Sequence, residues 1–154
     1  MNPKCCFLLL CLLPLATLAN DYIGVPIGAP IERAELLADP DARNRFTVEG
    51  PFEGLFSRFD AYRAQLHEES NHLVRAEAQK VYTSFGECSD DTVRIWNQLK
   101  QEFGRPTADD SQQWWFDIGE HQRISVNCKI YGGSGKIALN LIVVDNELAH
   151  VTGE

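Results

Sequence analysis

Histidines and acidic residues stand at two places with spacings close to those of known metal sites. Residues 67–72 read His-Glu-Glu-Ser-Asn-His, which puts His67 and His72 five positions apart. A helical zinc site of the peptidase type needs its histidines four apart, and a separation of five rotates the second by about 140° around the helix. Glu69 and Glu147 each precede a histidine by three, as in di-iron sites, but those sites need four helices that donate ligands inward. We therefore expect no metal site and no cofactor.

The glycine-rich residues 132–136 read Gly-Gly-Ser-Gly-Lys, part of the pattern of a phosphate-binding loop. That loop needs Gly-x-x-x-x-Gly-Lys-Ser/Thr between a strand and a helix. Here Ile130 stands where the first glycine belongs, Ile137 follows the lysine, and both flanks alternate as strands do. No serine lies in a Gly-x-Ser-x-Gly motif, so a nucleophile elbow is missing as well. We expect a hairpin at residues 132–135 and a binding protein rather than an enzyme.

The five cysteines fall into two groups. Cys5, Cys6 and Cys11 lie in an apolar segment at the start of the chain, and Cys88 and Cys128 lie in its second half. Two cysteines that remain in an exported chain predict one disulfide, Cys88–Cys128, with two reduced, buried thiols as the alternative. A loop of this length would gain at most about 3–4 kcal/mol from the bond.

The first 19 residues have the three regions of a cleavable secretory signal. Lys4 supplies the positive start, residues 5–15 are almost entirely apolar, and Thr17 and Ala19 are the small residues before the cut. Because the apolar core is shorter than the ~20 residues that a bilayer span needs, we predict cleavage after Ala19 rather than a membrane anchor. The predicted location is the periplasm, or the exterior of a cell without an outer membrane.

Length and charge limit the partners of the chain. Its 154 residues predict one domain besides the signal. Loss of Lys4 leaves 13 basic residues against 22 acidic ones, a formal charge of −9. Binding to nucleic acids and to anionic membranes depends on clustered Lys and Arg, so neither is an expected partner.

The mature chain divides into an arm and a domain. Residues 20–51 are interrupted by glycine and proline, which predicts an irregular N-terminal arm with a short helix at residues 31–38. Residues 52–154 are predicted to form a single α+β domain. Within it, apolar residues at helical spacing from Phe52 to Phe85 predict either one helix or two helices broken near residue 70, ended by Gly86.

A further helix and a sheet complete the predicted domain. Ser89 is a suitable N-cap and Gly104 a suitable end, and Val93, Trp96, Leu99 and Phe103 would form the buried face of this helix. Residues 114–118, 124–130 and 137–143 alternate as strands do, and a fourth strand is predicted to end near Val151. The fold class is therefore α+β: two or three helices packed on a four-stranded antiparallel β-meander, with one disulfide. The helices of residues 52–85 would cover the second face of the sheet.

The predicted partner-binding site lies at one edge of this sheet. A tryptophan with an acidic rim would suit a basic protein, and the acidic chain would attract such a target over long distances. The alternative is that Trp115 is a core residue covered by the predicted helices of residues 52–85. The residues of the predicted site are Asp109, Asp110, Trp115, Asp117, Ser134 and Lys136.

Together these features predict an exported binding protein that neutralises a protein target. Immunity proteins against envelope-targeting effectors and inhibitors of cell-wall hydrolases have this profile as classes. The alternative is a small periplasmic hydrolase or a lipid-binding envelope factor that works at the cleft between sheet and helices.

Overall fold

The computed structural model describes residues 21–32, 37–38, 45–49 and 52–151. The predicted signal peptide lies outside the described residues. So do residues 33–36 of the predicted helix at residues 31–38. Within the described residues the fold is α+β, as predicted.

One antiparallel sheet dominates the structure. Its seven strands follow the order β1-β2-β3-β4-β8-β7-β6, and a short strand, β5, pairs with the start of β6. The strands are β1 Leu37–Ala38, β2 Arg45–Val48, β3 Ala61–Leu66, β4 Leu73–Tyr82, β5 Thr107–Ala108, β6 Trp114–Asp117, β7 Gln122–Tyr131 and β8 Lys136–Asp145. The helical elements are a 3₁₀ helix at Gly54–Arg58, α1 at Phe85–Phe103 and α2 at Asn146–Val151.

The strands predicted from alternation in the second half are confirmed. β6, β7 and β8 form an antiparallel meander, and residues 132–135 are the hairpin turn between β7 and β8. Gly133 and Gly135 have φ values of 70° and 65°, a conformation that glycine adopts without strain. The count of four strands was too low, because the first half of the chain adds strands to the same sheet.

The helices predicted for residues 52–85 were wrong. This segment forms the 3₁₀ helix and strands β3 and β4, and β4 pairs with β8 along Arg75–Tyr82. Alternation is present in β4, but its inward residues include Ala76 and Ala78. Alanine is a weak strand former and a strong helix former. Pairing with the apolar β8 therefore determines that this segment is a strand, because local propensity alone does not favour one.

Two shorter predictions were also wrong. The last segment is helix α2 rather than a strand, because the Asp145 carboxylate accepts a hydrogen bond from Leu148 N at 3.1 Å and so caps a helix. The predicted helix at residues 31–38 does not reach Leu37 and Ala38, which pair with β2. Elsewhere in the predicted irregular arm, Ile23, Val25 and Ile27 are buried in the core.

Helix α1 begins five residues earlier than predicted, with its N-cap at Ser84 rather than Ser89. Ser84 is the N-cap, and its Oγ accepts a hydrogen bond from Glu87 N at 3.2 Å. Gly86, predicted to end a preceding helix, therefore lies in the first turn of α1. Gly104 ends the helix with φ 84°, as predicted. The Cys88–Cys128 disulfide is confirmed, with a Cα–Cα distance of 5.8 Å between α1 and β7.

Helix α1 covers one face of the sheet, and the core lies between them. The other face, which we call the polar face, carries the side chains that alternate away from the core. They include Arg63, Glu77, Gln79, Lys129 and Asn140, none of which is fully buried. The prediction that helices of residues 52–85 cover this face was wrong, because those residues are strands of the sheet itself. No helix in the described part of the chain is long and apolar enough to cross a membrane.

Candidate functional site

The sheet opens at the point where β6 separates from β7. These strands pair only at Phe116↔Ile124 and Asp117↔Arg123, and the first half of β6 pairs with β5 instead. The separated strands and α1 enclose a groove of about 490 Å³, which we call the edge groove. Its lining includes Phe85, Ser89, Val93 and Trp96 from α1, residues 111–114 from the β6 side and residues 125–128 of β7.

Three large apolar side chains line the edge groove and remain open to solvent. Trp114 is 54% exposed, Val93 56% and Phe85 49%. Single exposed apolar residues are common, but a group of them around one groove is typical of a protein-binding surface. Val93 was predicted to be buried, and this prediction was wrong because the inward face of α1 is formed by Cys88, Ile95 and Leu99.

The walls of the groove are held in place by contacts between elements. The Cys88–Cys128 disulfide fixes the start of α1 to β7. Two turns later, the Trp96 ring meets the buried Phe116 ring edge to face, with centroids 5.3 Å apart, which joins α1 to β6. The groove therefore has little freedom to collapse, which lowers the entropic cost of binding a partner.

The loop before β6 is organised around Asp109. One carboxylate oxygen accepts hydrogen bonds from Ser111 N at 2.9 Å, Ser111 Oγ at 2.6 Å and Gln113 N at 2.9 Å. The other accepts from Trp115 Nε1 at 2.8 Å. These bonds, led by those of Ser111 and Trp115, lower the pKa of Asp109 to about 2. The loop that precedes Trp114 is thus locked by a side chain that is ionised at neutral pH.

Trp115 is a structural residue in this arrangement. It exposes only 9% of its surface, its indole N–H is bound by Asp109, and Arg123 lies over the ring at 6.0 Å. A partner would find little free surface on it. The neighbouring Trp114 points to the other side of β6, as strand alternation requires, and offers far more contact area.

The other predicted site residues are spread over the surface. The structure brings Asp109 and Trp115 together, and Asp110 is exposed on the same loop. Asp117 is exposed and opposes Arg123 in the register of β6 and β7.

The two hairpin residues lie apart from this group. Ser134 is exposed in the turn between β7 and β8, and Lys136 donates from Nζ to Gln79 Oε1 at 2.5 Å on the polar face. Neither residue lines the edge groove.

Sequence reasoning missed Trp114, Phe85 and Val93. The adjacent pair Trp114-Trp115 carried one usable signal, since neighbours in a strand point to opposite faces. Which of the two is exposed depends on the departure of β6 from β7 and on the hydrogen bond of Trp115 to Asp109. Neither the strand separation nor this hydrogen bond can be read from the sequence alone.

The residues with metal-like spacing lie on turns and at helix ends. His67 and His72 flank the turn between β3 and β4, where His67 Nδ1 accepts from Ser70 N at 3.3 Å. Glu147 lies 3.4 Å from His121 on the surface. Within the described residues, no three His, Cys, Asp or Glu side chains are grouped so that they could hold a metal ion.

Asp91 on α1 is a second carboxylate whose pKa is shifted. The Tyr82 hydroxyl donates to Asp91, and this bond lowers the pKa of Asp91, with Arg94 and Lys80 contributing. Arg94 pairs with Asp91 one turn along α1, and Lys80 Nζ lies 3.8 Å from it. The group ties α1 to β4 and has the character of a structural anchor.

Searches against protein-family models, curated proteins and solved structures found no match to this chain.

Proposed function

We propose that this chain is an exported binding protein that neutralises a basic protein target, in the manner of an immunity protein or an inhibitor of a cell-wall hydrolase. Export rests on the signal-like residues 1–19. Binding rests on the edge groove, and above all on the half-exposed Trp114, Val93 and Phe85 that line it. Buried tryptophans at the centre of a protein interface contribute most to affinity.

The character of the target follows from charge. Asp109 and Asp110 lie directly beside groove-lining residues 111–114, and Asp109 is ionised above a pH of about 2. The mature chain carries a formal charge of −9. An apolar centre with an acidic rim fits a target with an apolar patch surrounded by Lys and Arg, which long-range attraction would bring to the groove quickly.

The rigid support of the groove favours inhibition over turnover. Binding proteins gain affinity when their contact residues are fixed before the partner arrives. The disulfide, the Trp96–Phe116 ring contact and the Asp109 hydrogen bonds each fix one wall. The tight, long-lived complex that such a surface can form is what a neutralising protein needs.

The proposal is tested by capture from a periplasmic extract of the cells that encode the chain, with mature protein as bait. We expect one basic protein, retained stoichiometrically, whose own activity is lost in the complex. Bait with Trp114→Ser should lose this protein, whereas bait with Ile130→Ser should retain it. Ile130 is 55% exposed and lies outside the groove lining, so the two variants each replace an apolar side chain of similar fractional exposure. Equal capture by both variants, or an active target in the complex, would contradict the proposal.

A lipid-binding envelope factor is the second candidate, because the core side of the sheet contains an apolar cavity. It measures about 520 Å³, within the usual range for small-molecule pockets, and it is lined mainly by apolar side chains. Val25, Val48, Phe52, Phe56 and Leu73 are among them. Native mass spectrometry of protein purified from its own host separates the two functions, since a retained lipid would support this second one.

A further inference from the structure

The polar face is basic on an otherwise acidic chain. Six of the chain's 14 Lys and Arg residues lie on it, whereas Glu77 and Asp117 are the carboxylates that the register places there. The six are Arg45, Arg63, Arg75, Arg123, Lys129 and Lys136. These basic residues adjoin the acidic rim of the edge groove at Arg123, which lies over the Trp115 ring that Asp109 binds.

The polar face is also concave. A single cavity of about 450 Å³ is lined by residues from Thr47 on β2 to Lys129 on β7. These strands are four positions apart in the sheet, a distance of about 19 Å at ~4.8 Å per strand. Short side chains such as Ala61 and Ala78 and long ones such as Arg63 and Lys129 together line this depression.

The floor of the cavity is a network of amides that hydrogen-bond to one another. Asn140 Oδ1 accepts from Gln79 Nε2 at 2.9 Å and from the Tyr131 hydroxyl at 3.0 Å, so both of its lone pairs are used. Asn127 Oδ1 accepts from Asn140 Nδ2 at 3.2 Å, and Gln79 Oε1 accepts from Lys136 Nζ. Each amide oxygen of the network therefore already accepts at least one hydrogen bond.

What remains available to a ligand is a set of donors. Gln113 lines both this cavity and the edge groove, and its Nε2 is buried without a hydrogen-bond partner among the described residues. Arg63 is exposed and makes no side-chain hydrogen bond or ion pair with any described residue. Lys129 is exposed above the Tyr131 ring at 5.6 Å. Buried unpaired donors are costly, so an acceptor-rich ligand would relieve this cost.

We propose that the polar face binds an acidic oligosaccharide, a short glycan chain whose sugar rings carry carboxylates. Arg63 on β3 and Lys129 on β7 begin three strands apart, or about 14 Å at the backbone. A single carboxylate cannot meet both, whereas carboxylates repeated along a short chain can. Sugar hydroxyls can accept from Gln113 and donate to Glu77, the one carboxylate in the cavity lining.

Other anionic ligands fit this face less well. An acidic peptide brings a backbone N–H for nearly every carbonyl, but each amide oxygen of the floor already accepts a hydrogen bond from a neighbouring side chain. Single-stranded nucleic acid needs open aromatic rings for its bases, but Trp115 is buried and Tyr131 is half-buried below Lys129. A bilayer surface is flat on this scale and would not reach the floor of a concave face.

Calorimetry with a hexamer of α-1,4-linked galacturonate as the probe tests the proposal on the mature chain. We expect binding that weakens about tenfold or more in the double variant Arg63→Gln/Lys129→Gln. The control, Lys100→Gln/Arg105→Gln, removes the same charge from the far end of α1 and should change the dissociation constant less than twofold. Neutral maltohexaose should bind at least tenfold more weakly than the acidic hexamer. Thermal melts would verify that both variants remain folded, since all four residues are exposed.

Three results would overturn the proposal: no binding of the galacturonate hexamer, equal weakening in the two double variants, or tighter binding of hexaglutamate or polyphosphate at matched charge and salt. The last result would assign the face to a different class of anion. Since Trp114 lies outside this cavity, Trp114→Ser should leave glycan binding unchanged. A negative result with the glycan would therefore not contradict the proposed protein-binding function. Likewise, a negative result in the capture experiment would not contradict glycan binding.

Discussion

Asp109 shows how one carboxylate can organise a binding loop. Its two oxygens bind the backbone and side chain of the loop on one side and the indole of Trp115 on the other. Asparagine cannot replace it fully, because an amide offers one acceptor oxygen and would point a donor at another donor. The loop that leads to Trp114 depends on this residue.

The pH dependence of stability follows from the same bonds. The pKa of Asp109 is about 2 in the folded chain, below the value of ~3.9 for an unfolded aspartate. Its contribution is therefore complete above pH ~4 and is lost as the pH falls towards 2. We expect Asp109→Asn to lower Tm at pH 7 and the difference from wild type to shrink between pH 4 and 2. Asp110→Asn, on the same loop, is the control. A difference that stays constant with pH would contradict this role.

Adjacent tryptophans should respond to substitution in opposite ways. Trp115 is buried and hydrogen-bonded, so we expect Trp115→Ala to destabilise the chain by about 3 kcal/mol. Trp114 is half-exposed, and Trp114→Ser should change stability by about 0.5 kcal/mol or less. Urea denaturation of both variants measures the two values. A similar loss in both would mean that Trp114 belongs to the core.

At the scale of elements, the disulfide decides how firmly α1 lies on the sheet. It joins Cys88 and Cys128 across a sequence separation of 40. We expect Cys88→Ala/Cys128→Ala to lower the free energy of unfolding by up to about 3–4 kcal/mol, mainly because the unfolded chain is no longer constrained. Urea denaturation measures this loss, and a change below about 1 kcal/mol would contradict the anchoring role. In this double variant, amide hydrogen exchange should increase most, relative to wild type, in the first turns of α1.

The strand assignment of β4 has its own test. Ala76 is buried and Val81 is 53% exposed. Ala76→Glu would bury a charge without a partner and should unfold or severely destabilise the chain. Val81→Glu places its carboxylate in solvent and should be tolerated. A helix with the apolar spacing of this segment would instead bury Val81 and expose Ala76. Thermal melts compare the two variants, and the opposite order would restore the helical interpretation of residues 52–85.

Sequence patterns predicted the second half of the fold well and the first half poorly. β7 alternates between apolar and polar residues from Ile124 to Ile130, a pattern that only a strand satisfies. In β4 the inward positions 76, 78 and 80 are two alanines and a lysine, so periodicity carried little information there. The disulfide was predictable because two cysteines remained after the signal, but the departure of β6 from β7, which forms the edge groove, has no local signature in the sequence.

On the scale of the whole molecule, charges of opposite sign concentrate on two adjoining surfaces. The acidic loop borders the edge groove, and the basic residues gather on the polar face. Binding at the groove should weaken with salt when the target is basic, because screening removes the long-range attraction. Charge reversal at Asp110, which is exposed and lies outside the Asp109 hydrogen bonds, would slow association with such a target.

Export and oxidation can be tested together on the whole chain. Intact-mass spectrometry of protein recovered from its natural host should show the loss of residues 1–19 and a mass two hydrogens below that of the dithiol form. A full-length product would contradict export. Two thiols that alkylate freely without reductant would contradict the disulfide.

The central claim is that Trp114 anchors a protein partner in the edge groove, and the affinity of the captured target for two matched variants tests it most directly. We expect Trp114→Ser to raise the dissociation constant about 30-fold or more, which corresponds to about 2 kcal/mol. Ile130→Ser, equally exposed but outside the groove, should raise it less than threefold. Equal affinities of the two variants for the target would contradict the claim.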